Sequence, residues 1–178
     1  MPGANDDATG VAVALDLARA LAADPLEHTR VLIALVGSEE SGMAGFHAFI
    51  ERRRAELDPA TTLVVGLDTL GCGTPIVAWG EGAVLTHRYR EADLALADEG
   101  AALASEPPPQ RWRIGAWTDP LLALTRGIPA LSLLSIGPGG AYTHYHVPSD
   151  LPEHVDWDSV SACARIAAGT LRAADRRA

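Results

Sequence analysis

Lysine is absent from this chain of 178 residues; all fourteen basic side chains are arginine, set against 23 acidic ones. A formal net charge of −9 offers no basic surface for a nucleic acid or an anionic membrane, so neither is expected as a partner. Only two cysteines occur, Cys72 and Cys163. They define neither a zinc ribbon nor a disulfide framework, and free buried thiols are expected. No apolar run approaches the roughly 20 residues of a membrane span. The opening Met-Pro-Gly-Ala-Asn-Asp-Asp has no charged stretch followed by an apolar one, so the chain as written is expected to be cytoplasmic. No repeat and no dividing linker interrupts it. With 48% hydrophobic residues, residues 1–178 are expected to form a single domain with a substantial core.

Helical and strand patterns alternate along the chain. Helices are expected over Val11–Ala23, Ala44–Leu57, Glu91–Ser105, Leu121–Thr125 and Val155–Ala174, bounded by polar caps, glycine and proline. Continuous Val/Ile/Leu runs predict buried strands at Arg30–Val36, Leu63–Leu67 and Ala130–Ser135, with a further strand at Pro75–Trp79. Gly137–Asp150 reads as a loop rich in glycine and aromatics. The fold class that follows is α/β, with mainly parallel strands and helices on both faces.

Two adjacent carboxylates, Glu39 and Glu40, follow the most apolar run, Val31–Val36. Open α/β sheets bind ligands at the carboxyl ends of their strands. Like charges at such a place resist joint ionisation, and a metal ion would relieve them. Asp6 lies in an Asn-Asp-Asp-Ala-Thr-Gly stretch that, taken alone, reads first as a helix N-cap. Asp68 ends the strand Leu63–Leu67, where a cap or turn role is as good a reading. His146 sits four residues before Asp150, a carboxylate able to orient its ring. One histidine and several carboxylates at strand ends form a hard nitrogen-and-oxygen set suited to zinc, with cobalt or manganese as further candidates. Trp79, Trp117, Tyr142 and Tyr145 are candidates to line a pocket, or core.

The ordered combination resembles the zinc aminopeptidases of metallopeptidase family 28 over nearly the whole chain. The resemblance rests on the Gly-Ala-Asn-Asp-Asp-Ala-Thr-Gly turn and on Glu39-Glu40 followed by Ser-Gly-Met-Ala-Gly. It continues through Leu67-Asp68-Thr69-Leu70-Gly71, Thr118-Asp119, Gly127-Ile128-Pro129 and Tyr145-His146-Val147-Pro148-Ser149-Asp150. It implies a three-layer α/β/α fold with a mixed, mainly parallel sheet. It also implies that Asp6 bridges two metal ions, Glu40 and His146 ligate one, Asp68 ligates the other, and Glu39 is the general base. Asp7 becomes a cap, and Asp119 and Asp150 become supporting residues. The substrate implied is a peptide or other aminoacyl compound.

The chain departs from that pattern in one respect. Family members carry a His-x-Asp motif upstream of the bridging Asp, and the five residues before Asp6 include no histidine. The resemblance therefore implies one complete metal site, a second left with Asp6 and Asp68, and an N-terminally short sheet whose exposed edge favours a homo-oligomer. His144 is the first candidate for a replacement ligand. Two alternatives stay open beside aminopeptidase activity. One is a single-zinc aminoacyltransferase resembling the glutaminyl cyclases; the other is a truncated domain of the same fold without catalysis.

Overall fold

A computed structural model describes residues 1–178. Helix α1 (Ala8–Ala23) begins where the Asp7 carboxylate accepts the Gly10 N–H at 3.0 Å, three residues earlier than the hydrophobic pattern indicated. An N-cap carboxylate satisfies a free amide and lies at the positive end of the helix dipole. Helix α2 (Ala44–Arg53) stops short of Leu57, with Arg52 and Arg53 in its last turn. Helices α3 (Glu91–Leu103) and α4 (Asp119–Leu124) follow. Helix α5 (Trp157–Asp175) is capped by Asp156, which accepts from the Asp158 and Ser159 N–H groups.

The strands are β1 (Val64–Leu67), β2 (Thr74–Glu81), β3 (His87–Arg88), β4 (Gln110–Ile114) and β5 (Ala130–Ile136). The sheet is mixed. β1 runs parallel to β5, and β4 parallel to β2, while β2 pairs antiparallel with β5 and, through its last two residues, with β3. Every residue of β5 is buried, as an interior strand covered on both faces must be. Helix α3 packs along α5, and α5 reaches α1, β2 and β5; α2 and α4 pack together, with α4 against β1 and β5. These two helical groups form the outer layers of the α/β fold. One cluster of 25 buried residues joins them through the sheet, including Ile76, Val77, Leu131, Leu133 and Ile166. Both cysteines are free and buried, and no helix is long and apolar enough to cross a membrane.

β3 and β4 fall in stretches without strand-like apolar runs; β4 carries Gln110, Arg111 and Arg113. The larger correction concerns Arg30–Val36. It is not a strand: its residues belong to no sheet and make no backbone–backbone hydrogen bond. Only Val36 packs against the core from this run, and Leu32, Ile33 and Leu35 are exposed. A strand needs a neighbour to satisfy its N–H and C=O groups, and none lies beside this run.

In dilute solution Leu133→Ala should cost about 2–5 kcal/mol, the range for truncating a buried leucine, whereas Leu35→Ala should stay within about 0.5 kcal/mol. Urea unfolding curves measure both. Equal losses would mean that the run is packed as a core strand.

Candidate metal centre

Four separate segments bring the candidate residues together. Asp6 lies in the turn before α1, and buried Asp150 grips that turn. One Asp150 oxygen accepts the Asn5 N–H at 2.7 Å and the other the Asp6 N–H at 3.1 Å. The buried Asn5 side chain accepts the Gly71 N–H at 2.7 Å and donates to the Cys72 sulfur at 3.2 Å. Asp7 ties the turn to the end of β1 by accepting the Thr69 N–H at 3.1 Å. Gly10 abuts the Leu67 carbonyl so closely that a side chain there would collide with backbone, which sets Asp6 next to Asp68.

Glu39 and Glu40 form a single 3-10 turn with Ser41, entered through Ser38 in the left-handed region at φ 61°. Gly45 of α2 lies against the backbone of Gly37, fixing that turn on the helix. Thr69, directly after Asp68, and His146 itself are also left-handed, at φ 51° and 56°. Non-glycine residues held there carry strain of about 1–3 kcal/mol each and concentrate at functional sites.

Asp6, Glu40 and His146 converge. The His146 Nε2 atom lies 2.6 Å from a Glu40 oxygen and 3.1 Å from an Asp6 oxygen. All three donor atoms lie within 4.8 Å of one another. Ligand atoms around a tetrahedral zinc stand about 3.3 Å apart, given bond lengths near 2.0–2.1 Å, so a small outward shift would admit an ion. Two carboxylates and an imidazole are also the right donor chemistry for zinc. The residues present fit a metal ion. Asp68 lies outside this triad, partly buried, and accepts the Thr69 hydroxyl at 2.6 Å. Its charge nevertheless acts on Asp6, Glu39 and Asp119.

Electrostatic crowding marks the whole cluster. Burial, then the charges of Asp68 and Glu40, pushes Asp6 up to about 6. Burial with Asp68 and Asp119 pushes Glu39 up to about 7, and burial with Asp68 pushes Asp119 up to about 6. Burial also raises Asp68 and Asp7. Glu39 makes no ion pair and is not one of the converging donors, so its carboxylate stays free beside them.

The expectation that Asp150 orients the His146 ring is overturned: Asp150 holds the Asn5–Asp6 backbone instead. The ring is held by Tyr145, stacked on it at 3.7 Å, with Tyr142 beside Tyr145 at 5.3 Å. His144 is not part of the triad. It stacks on His154 at 4.2 Å and bonds Ser149 at 2.9 Å. Trp117 is exposed, and Trp79 packs under the Arg88 guanidinium on β2. Glu81 was missed because it ends a strand whose pattern was read only to Trp79. Fully buried, it accepts from the hydroxyls of Tyr89, Thr118 and Ser132 and from the Thr118 N–H, at 2.7–2.8 Å. It thereby anchors the residue before Asp119, whose own Oδ1 is buried without a hydrogen-bond partner, as is the Tyr142 hydroxyl.

A fold of this class with converging carboxylates and a histidine has known counterparts. The sequence profile of peptidase family M28 matches residues 1–171, and the chain belongs to that family. It is similar in structure to an aminopeptidase from Aneurinibacillus sp. strain AM-1, with 24% identity and a TM-score of 0.67, covering 95% of this chain and 39% of that one. It is also similar to BSAP, a zinc aminopeptidase from Bacillus subtilis, with 17% identity and a TM-score of 0.71 over 95% of this chain and 41% of that one. A glutaminyl cyclase from an Acidobacteriales bacterium matches 99% of this chain and 63% of its own, at 15% identity and a TM-score of 0.72. The chain thus spans less than half the length of these aminopeptidases. Family and fold together support a metal-dependent, hydrolase-like function of the peptidase kind.

Two outcomes follow from the geometry. Asp150→Asn should weaken zinc binding by about 10–100-fold, the usual effect of losing a group that holds a ligand in place. Chelator competition with a circular dichroism control measures it, and unchanged affinity would mean that Asp6 needs no clamp. The raised carboxyls keep their protons to higher pH in the folded chain than in the unfolded one. Between about pH 5 and 7 the folded state therefore binds more protons, and stability of the metal-free chain falls as pH rises. Thermal melts of chelator-treated protein should give the lower Tm at about pH 7, and added zinc should remove the difference. A metal-free Tm that rises over this window would contradict the crowding.

Proposed function

We propose that this chain is a zinc-dependent aminopeptidase domain in which Asp6, Glu40 and His146 hold the catalytic ion and Glu39 is the general base. The convergence of those three donors beside an unpaired Glu39 carries the reading. A bound zinc ion lowers the pKa of water to about 7 and polarises a carbonyl. Glu39, half-buried and without an ion pair beside the three donors, is placed to take a proton from that water. It returns that proton to the leaving amine, a role worth typically 10²–10⁴-fold. Asp68 is the ligand of a second ion, which binds weakly for want of further donors. The acidic surroundings, with Asp119 Oδ1 left without a donor, favour substrates that present a free amino group.

A second reading is a single-zinc aminoacyltransferase of the glutaminyl-cyclase kind. The compact Asp–Glu–His triad with Asp68 set apart favours it. Release of a dye from aminoacyl substrates supports the peptidase; cyclisation of an N-terminal glutaminyl peptide without dye release supports the transferase.

Glu39→Gln should abolish turnover with metal content unchanged, because the base is not a ligand, while Glu40→Gln and His146→Ala should lose both. Elemental analysis after dialysis should find one tightly held ion per chain. Substantial activity in Glu39→Gln, on any substrate the parent hydrolyses, would refute the assigned mechanism.

A further inference from the structure

Glu81 is the most deeply buried acid of the chain, at 0% exposure, and its carboxylate meets hydroxyls and an amide but no base. Burying a carboxylate without a cation is costly, and an apolar side chain of similar size fills a core position at less cost. What the carboxylate does here that an apolar group could not is hold the loop between β4 and α4. One oxygen accepts the Thr118 N–H at 2.7 Å; the other accepts the Thr118 hydroxyl at 2.7 Å, together with those of Tyr89 and Ser132. Gly82, next in the chain, donates its N–H to the Ala116 carbonyl at 3.0 Å. The end of β2 thus grips the loop at two alternate residues, once by backbone and once through a carboxylate.

This clamp lies next to the metal centre. Thr118 is followed by Asp119 and Pro120, the first turn of α4. Pro120 lies against Gly66 of β1, so closely that a side chain at Gly66 would collide with its ring, and Gly66 is two residues before Asp68. Helix α4 also packs on α2, which follows the Glu39–Glu40 turn. Asp119 is near enough for its charge to act on Glu39 and for that of Asp68 to act on it. Thr118 is extended, at φ −121° and ψ 163°, a geometry that sends adjacent side chains to opposite sides. Its hydroxyl turns to Glu81, and the Asp119 carboxylate turns away from that network, with Oδ1 left without a donor.

We infer that Glu81 is a positioning residue for substrate recognition: through its two bonds to Thr118 it holds Asp119 at the margin of the metal centre, where Asp119 accepts the free amino group of a substrate. The inference rests on the proposed reading of the site as one that takes aminoacyl compounds. A carboxylate on a loose loop has to be ordered at each binding event, whereas one fixed beforehand does not. Glu81 itself is enclosed and does not touch the substrate.

Calorimetric binding of L-leucinamide and N-acetyl-L-leucinamide to the zinc-loaded chain tests it, because only the first has a free amino group. The parent should bind leucinamide at least about tenfold more tightly, as a hydrogen bond to a charged group provides, and Asp119→Asn should lose most of that preference. Glu81→Gln should lose most of it as well, with zinc affinity unchanged. Thr118→Val removes one of the two bonds without altering any charge; it should move the same way, and decides the matter if Glu81→Gln does not fold. Ser132→Ala takes a donor from the same carboxylate but leaves both Thr118 bonds. It should lower the melting temperature and keep the preference, a separation that a merely structural network would not produce. A parent without the preference, an Asp119→Asn, Glu81→Gln or Thr118→Val chain that keeps it, or a Ser132→Ala chain that loses it would overturn the inference. A parent that shows the preference yet releases no dye from aminoacyl substrates upholds the inference and fails the peptidase reading.

Discussion

Mutual repulsion among Asp6, Asp7, Glu39, Glu40, Asp68 and Asp119, with His146 as the sole nearby base, is the constraint around which this molecule is arranged. Burial, and then the charge of a neighbouring carboxylate, lets Asp6, Glu39 and Asp119 keep their protons to about pH 6 or 7. A fold that holds like charges together without a cation works against its own stability. The hydrogen bonds that do this are specific: Asp150 on the Asn5–Asp6 backbone, Asp7 on Gly10 and Thr69, and Glu81 beneath Thr118. Each uses a buried or half-buried carboxylate to fix backbone rather than to pair with a base. A divalent ion at the triad would relieve the strain they maintain.

The sheet supplies the rigidity this requires. β5 is buried along its whole length, and the ends of β1 and of the exposed run deliver Asp68 and the Glu39–Glu40 turn to one place. The left-handed backbone at Ser38, Thr69 and His146 turns the chain sharply beside these residues. Rigidity is nevertheless uneven. Asp68 directly follows a hydrogen-bonded strand and donates its own N–H to the Leu133 carbonyl, whereas Glu39 and Glu40 follow a run with no backbone partners and are held through Gly37 and α2. Glu39 and Glu40, the proposed base and ligand, thus sit on the least anchored side of the site.

Family membership and shared fold carry the reading as far as a metal-dependent, peptidase-like domain. The chain spans only 39–41% of the aminopeptidases compared, so their activity is not carried over to it as a whole. The triad is a property of this chain's own residues, and so is the separate, hydrogen-bonded state of Asp68.

The sequence by itself determined the five helices and the strands β1, β2 and β5 to within a few residues, because apolar periodicity and caps are local signals. The apolar run of β5 needed nothing distant to be legible. The ordered motifs shared with the family also singled out Asp6, Glu39, Glu40, Asp68 and His146 as candidates. Tertiary structure alone decided three further matters. Val31–Val36 has the composition of a buried strand, but a strand exists only through a neighbour's hydrogen bonds, and no pattern within the run reports their absence. Asp150 clamps the Asp6 turn instead of the His146 ring because the chain folds back across nearly its full length, a contact invisible to spacing. Glu81 reads as the end of a strand, and only the meeting of β2, β5 and the loop before α4 surrounds it with four donors.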